Sequence, residues 1–94
     1  MPAIGVLTLE IHLPDAHSLK EKRQVIRSLK DRLRKHNVAV AEIDFQDLWQ
    51  RSVVAVVTIS LRREQAEIVL QAAEREAAGI LSGSLGASGI EWIE

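Results

Sequence analysis

Residues 38–61 read VAVAEIDFQDLWQRSVVAVVTISL. From Val38 to Phe45 the side chains alternate. Ala39, Ala41, Ile43 and Phe45 oppose Val38, Val40, Glu42 and Asp44. A period of two marks a strand with two distinct faces. Ser52 to Leu61 is a second strand-like run, rich in β-branched residues. The QDLWQR between them is short enough for a hairpin connection. The centre of the chain is therefore an antiparallel pair, and the fold depends on what flanks it.

On the N-terminal side, Ala3 to Leu13 also alternates, with Leu7, Leu9, Ile11 and Leu13 on one face and Val6, Thr8, Glu10 and His12 on the other. Pro14 and Asp15 stop that strand. Ser18 then offers a helix cap, with Glu21 three residues on. Leu19, Val25, Ile26, Leu29 and Leu33 follow at helical spacing, predicting an amphipathic helix from Ser18 to about Lys35 that ends at Asn37. On the C-terminal side, Ala66, Val69, Leu70, Ala73, Ala77 and Ile80 form the apolar stripe of a second helix over 62–81. Ile90 to Glu94 reads as a short last strand. GILSGSLGASG, residues 79–89, holds four of the five glycines and is expected to be a flexible connection.

The order β-α-β-β-α-β forms two split βαβ units with right-handed crossovers. The expected fold is α+β and ferredoxin-like: one domain over residues 1–94, a four-stranded antiparallel sheet in the order 4-1-3-2, and both helices on one face. Such a superfold carries little information about function.

With 47% hydrophobic and 27% charged residues, the composition is that of an ordinary globular domain. There is no cysteine, so disulfides, thiolate nucleophiles and cysteine zinc sites are excluded. No apolar run approaches the roughly 20 residues that cross a bilayer, and MPAIGVLTLEIHL lacks the marks of a signal peptide, so a cytoplasmic protein without membrane partners is expected.

SLKEKRQVIRSLKDRLRK, residues 18–35, gathers 8 of the 12 Lys and Arg residues of a chain whose net charge is −1. At about 100° per residue, Lys20, Arg23, Arg27, Lys30 and Arg34 fall within a sector about 80° wide. Like charges at these spacings oppose the helix by roughly 0.2–0.5 kcal/mol per pair. Cations in the first turn also face the positive end of the helix dipole. One reading is a solvated face, or one neutralised by the 9 acids that residues 36–94 carry against 4 basic residues. The other is a ridge facing the phosphates of RNA. Lys22 stands apart, among Leu19, Ile26, Leu29 and Leu33 on the core side, where it would snorkel towards a carboxylate.

The topology brings a polar cluster to one end of the sheet: His12, Lys22, Glu42, Asp44, Asp47, Trp49 and Arg51. Its ordinary reading is a set of ion pairs with Trp49 capping the core. His12 with Glu42, Asp44 or Asp47 lacks recognisable metal-ligand spacing, and an acid–base pair for hydrolysis is a minor alternative. No cofactor, metal or catalytic residue is expected. His17 and His36 read as solvated. Val6, Val38, Val40, Val54 and Val56 are assigned to the open sheet face beside Thr8 and Thr58, with Val6, Val54 and Val56 as a dimer face. Phe45, Trp49 and Trp92, the only aromatics, do not form the stacking platform of an RNA-recognition motif.

His12–Leu13–Pro14, then Ser18 to Arg23, Arg32 to Arg34, Asn37 to Glu42 and Asp47 to Arg51 together resemble the YlxP-like family, small bacterial proteins built on a domain of unknown function. The resemblance is strong over residues 3–60. It implies a ferredoxin-like fold and a cytoplasmic bacterial protein. Genes of the family often neighbour those of translation and ribosome maturation, which implies an RNA- or ribosome-related role. It supplies no catalytic residues. The expected function is a non-enzymatic module associated with RNA or the ribosome; a homodimerisation module is the alternative.

Overall fold

A computed structural model describes residues 1–93. Strand β1 spans Ala3–His12, helix α1 Leu19–Leu33, strand β2 Ala39–Asp44, strand β3 Arg51–Ser60, helix α2 Arg63–Leu81 and strand β4 Leu85–Ile93, with 3₁₀ turns at Arg34–His36 and Ser82–Ser84. The sheet order is β2-β3-β1-β4 and every pairing is antiparallel. Read from the other edge this is the expected 4-1-3-2. Leu7, Leu9 and Ile11 of β1 pack with Ile26, Leu29 and Leu33 of α1 and with Leu70, Ala73, Ala77 and Leu81 of α2, so both helices cover one face.

Local chemistry sets the ends of α1. Ser18 Oγ accepts the Glu21 N–H at 3.1 Å, and the Glu21 carboxylate accepts the His17 N–H at 2.7 Å. One orphan donor of the first turn is thereby satisfied, and the residue before the cap is tied back to the helix. Asn37 adopts φ 63°, the left-handed conformation that ends helices and that asparagine tolerates. At the other end of the fold the Arg63 guanidinium lies 4.5 Å over the Trp92 ring, tying α2 to β4.

Three expectations are corrected. Val54, Val56 and Thr58 are buried, and Val38 and Val40 pack against the same core, so none of the five belongs to the open face. Register decides this: Val56 pairs with Leu7 and Val54 with Leu9, and paired residues share a face. The open face instead carries Val53, Ala55, Val57 and Ile59 of β3 beside Val6 and Thr8 of β1. Secondly, 79–89 is not a loose connection. It holds the end of α2, a 3₁₀ turn and the first half of β4. Its small residues fit an edge strand that passes close to β1: a Cβ at Gly86 would stand 3.1 Å from the His12 ring and 3.3 Å from the Glu10 carbonyl. Glu94, expected to end β4, lies outside the described residues. Thirdly, His36 is half-buried and meets Glu76 of α2, which also accepts from Arg32 Nε at 3.0 Å.

The hydrogen bond from His36, aided by Arg32 against the opposing pull of desolvation, holds the Glu76 carboxyl below its ordinary value. A lowered folded-state value stabilises the fold above the unfolded value of 4.5, and that contribution is lost as pH falls through the lowered one. Glu76→Gln is therefore expected to lower the melting temperature near neutral pH. The gap to the parent protein should narrow as both are acidified from 4.5 down through the lowered value. Parallel melts across pH check this; a gap independent of pH would assign the loss to packing.

Candidate nucleic-acid interface

Helix α1 lies beside β2, which is an edge strand, and an open groove of about 420 Å³ runs between them. Arg23, Arg27, Lys30 and Arg34 line it, with Ile26, Asp31 and Glu42. The helical rise of about 1.5 Å per residue spreads the four cations over about 16 Å. Arg23 and Arg27 are exposed and Lys30 is half-buried. None of the three forms an ion pair among the described residues. Arg34 meets Asp31 at 3.3 Å, with both side chains more than half exposed, a pair too solvated to hold it firmly. Lys20, exposed in the first turn, continues the line beyond the groove. Arg32, on the other flank, is committed to Glu76.

Lys22 does not snorkel. It is buried, at 1% exposure, and its Nζ lies 3.0 Å from Glu42 Oε2 and donates also to the Phe45 carbonyl. The same Oε2 accepts from the buried Ser52 Oγ at 2.5 Å. This links α1 to both strands of the hairpin. Phe45 sits in the left-handed region at φ 59°, which costs a residue with a side chain roughly 1–2 kcal/mol. Hydrogen bonds on both sides offset that: Asp44 Oδ1 accepts the Phe45 N–H at 2.8 Å, and Lys22 takes the carbonyl. Arg51 covers the Phe45 ring at 4.2 Å.

The remaining polar residues at this end are not brought together. His12 pairs in register with Arg51 and is exposed on the open face, whereas Glu42 faces the helices. Asp44 serves its own turn. Asp47 and Trp49 line a shallow depression in the β2–β3 connection with Leu48, Gln50 and Arg51. Trp49 is 50% exposed, so it does not cap the core as expected. Among the described residues no three His, Asp or Glu side chains gather as metal ligands, and no helix is long and apolar enough to cross a membrane. The sequence located the stripe and the unusual position of Lys22. It did not reveal the groove, because a groove needs the spacing of α1 from β2.

Fold and site together define a small ferredoxin-like α+β domain with a cationic groove along its first helix. The model of the family described as protein of unknown function (DUF503) matches residues 4–81, and the chain belongs to that family. Uncharacterized protein YlxP of Bacillus subtilis (strain 168) is 42% identical over 69 residues, which cover 72% of this chain and 75% of that protein. The resemblance read from the motifs is thus borne out. A dimeric protein of unknown function and ferredoxin-like fold from Bacteroides fragilis NCTC 9343 superimposes with a TM-score of 0.60 at 13% identity, over 98% of this chain and 95% of that one. A dimeric ferredoxin-like protein of unknown function from Thermobifida fusca yx gives 0.55 at 19% identity, over 98% and 90%. At such identities the likeness is one of fold.

Proposed function

We propose that the protein is a non-catalytic RNA-binding module that holds the phosphate backbone along α1, in association with RNA or the ribosome in the cytoplasm. The observation that carries this is the lack of any ion pair to Arg23, Arg27 or Lys30 among the described residues, although the chain as a whole is slightly acidic. Cations left open in a groove are a ready site for a polyanion. The test is titration of a labelled single-stranded RNA at several salt concentrations, with an acidic peptide, polyglutamate, as competitor. Binding that falls steeply with salt, resists polyglutamate and is lost in Arg23→Glu/Arg27→Glu is expected. Absence of binding at low salt, or displacement by polyglutamate at equal charge, would overturn the reading, the latter in favour of an acidic protein partner.

A second reading concerns the open sheet face. Val6, Val53, Ala55 and Val57 are only half-buried there, and Ile59 is 59% exposed. Four strands about 4.8 Å apart, with eight or so residues each, offer several hundred Å², approaching what one partner of a standard interface buries. Both similar structures named above are described as dimeric. This supports a homodimer through the sheet, on corrected residues. Val57→Lys is expected to halve the mass seen by light scattering at high concentration while leaving the fold unchanged. A parent protein that is monomeric throughout would sink the dimer.

A further inference from the structure

A carboxylate is out of place in a groove meant only for phosphates, yet Glu42 lines this one and cannot turn away. Its Oε2 is held by Lys22 at 3.0 Å and by Ser52 at 2.5 Å, both side chains buried. Its Oε1 makes no hydrogen bond among the described residues, and the side chain keeps 18% of its surface open. The Lys22 ammonium compensates the charge, so Glu42 does not repel phosphates nearby as a free carboxylate would. What remains is an acceptor on a fixed side chain that lines the groove together with the cations. Asp31, the other acid of the groove, is more than half exposed and only loosely paired with Arg34, so water rather than the groove takes up its charge.

Acceptor and cations together match a nucleotide, whose phosphates carry negative charge and whose base edge can offer N–H donors. We infer that the groove holds a single-stranded segment, its successive phosphates on Arg23, Arg27, Lys30 and Arg34 and the base edge of one unpaired nucleotide on Glu42 Oε1, with guanine fitting best. This deepens the RNA reading and rests on it. The Watson–Crick edge of guanine sets N1–H and the 2-amino group side by side. Adenine and cytosine place an acceptor nitrogen next to their amino group, and uracil flanks its single N–H with two carbonyls. A lone carboxylate oxygen meets the least opposition from guanine. In a duplex these edges are occupied, so the nucleotide must be unpaired. The groove's 420 Å³ lies within the range of small-molecule sites, roughly 300–1,000 Å³.

The test uses the intact chain and three labelled heptamers, UUUGUUU, the same with inosine in place of guanosine, and all-uridine, in fluorescence anisotropy at one low salt concentration. The guanosine oligomer should bind about tenfold more tightly than all-uridine, the gain of one charge-assisted hydrogen bond. Inosine, lacking the 2-amino group, should fall between. The double variant Lys22→Met/Glu42→Leu, which keeps the site filled, should bring the guanosine-to-uridine ratio to about one. Equal affinity for the three heptamers in the parent protein, or tighter binding of a duplex, overturns the base contact and leaves the phosphate reading standing. No binding of any oligomer overturns both. Should the double variant fail to fold, the heptamer series on the parent protein still decides.

Discussion

Glu42→Ala is expected to cost the fold about 3–5 kcal/mol, the range for stripping the partner from a buried charge. Lys22 is 1% exposed and would be left with only the Phe45 carbonyl. The reverse deletion is milder. In Lys22→Met the Glu42 carboxylate keeps the Ser52 hydroxyl and an 18% opening to water, so about 1–2 kcal/mol is expected. The double variant Lys22→Met/Glu42→Leu should recover most of the loss, since apolar residues of similar volume replace buried pairs at little cost or with gain. A domain of this size has about 5–14 kcal/mol in total. The single change at Glu42 therefore removes a large share of stability, and chemical denaturation of the four proteins reads the cycle directly. A Glu42→Ala midpoint close to the parent's would show that Lys22 finds water or another acceptor. The asymmetry is the informative part: a surface pair would lose little, and equally, from either side.

The same group shows what the sequence could and could not disclose. Lys22 on the apolar side of α1 was legible from helical spacing, as was a carboxylate as its partner; its full burial was not, because a long cationic chain at a sheet edge is expected to snorkel. The architecture was legible too, because the periods of two and 3.6 residues alternate cleanly along the chain. The faces of the hairpin were not. SVVAVVTIS is apolar on both sides, so alternation cannot choose between them. Hydropathy even points the wrong way, since all three hydroxyls of the run, Ser52, Thr58 and Ser60, alternate in step with the buried Val54 and Val56. Ser52 is bound to Glu42, and Thr58 Oγ1 donates to the Asn37 carbonyl at 3.1 Å. Pairing with β1 settles the matter, and pairing is a long-range property. The first half of β4 was hidden for another reason. Gly86, Ala87, Ser88 and Gly89 have weak strand preference, and backbone pairing with β1 overrides it. Ser88 adds a tie to α2 through Glu74 Oε2 at 2.6 Å.

Arg23→Glu/Arg27→Glu is expected to weaken single-stranded RNA binding by 100-fold or more at low salt, roughly, as two phosphate contacts become two repulsions. The parent protein sets the scale. Four contacts on a single strand give a slope near −2.8 in log affinity against log salt, so raising salt from about 50 to 200 mM should weaken binding roughly 50-fold. With two contacts gone the slope should halve. The fold should not suffer, because both arginines are exposed and unpaired among the described residues, and exposed substitutions of this kind stay within about 0.5 kcal/mol. Reversal even relieves the like-charge spacing along the helix. Net charge changes by four units, which alone would disfavour any polyanion. Arg62→Glu/Arg75→Glu makes the identical change at the residue that precedes α2 and at one within it, away from the groove, both exposed. If binding depends on position, this control keeps most of the affinity and the whole slope. If it weakens binding as much as the α1 pair does, the attraction belongs to total charge, and the groove loses its role.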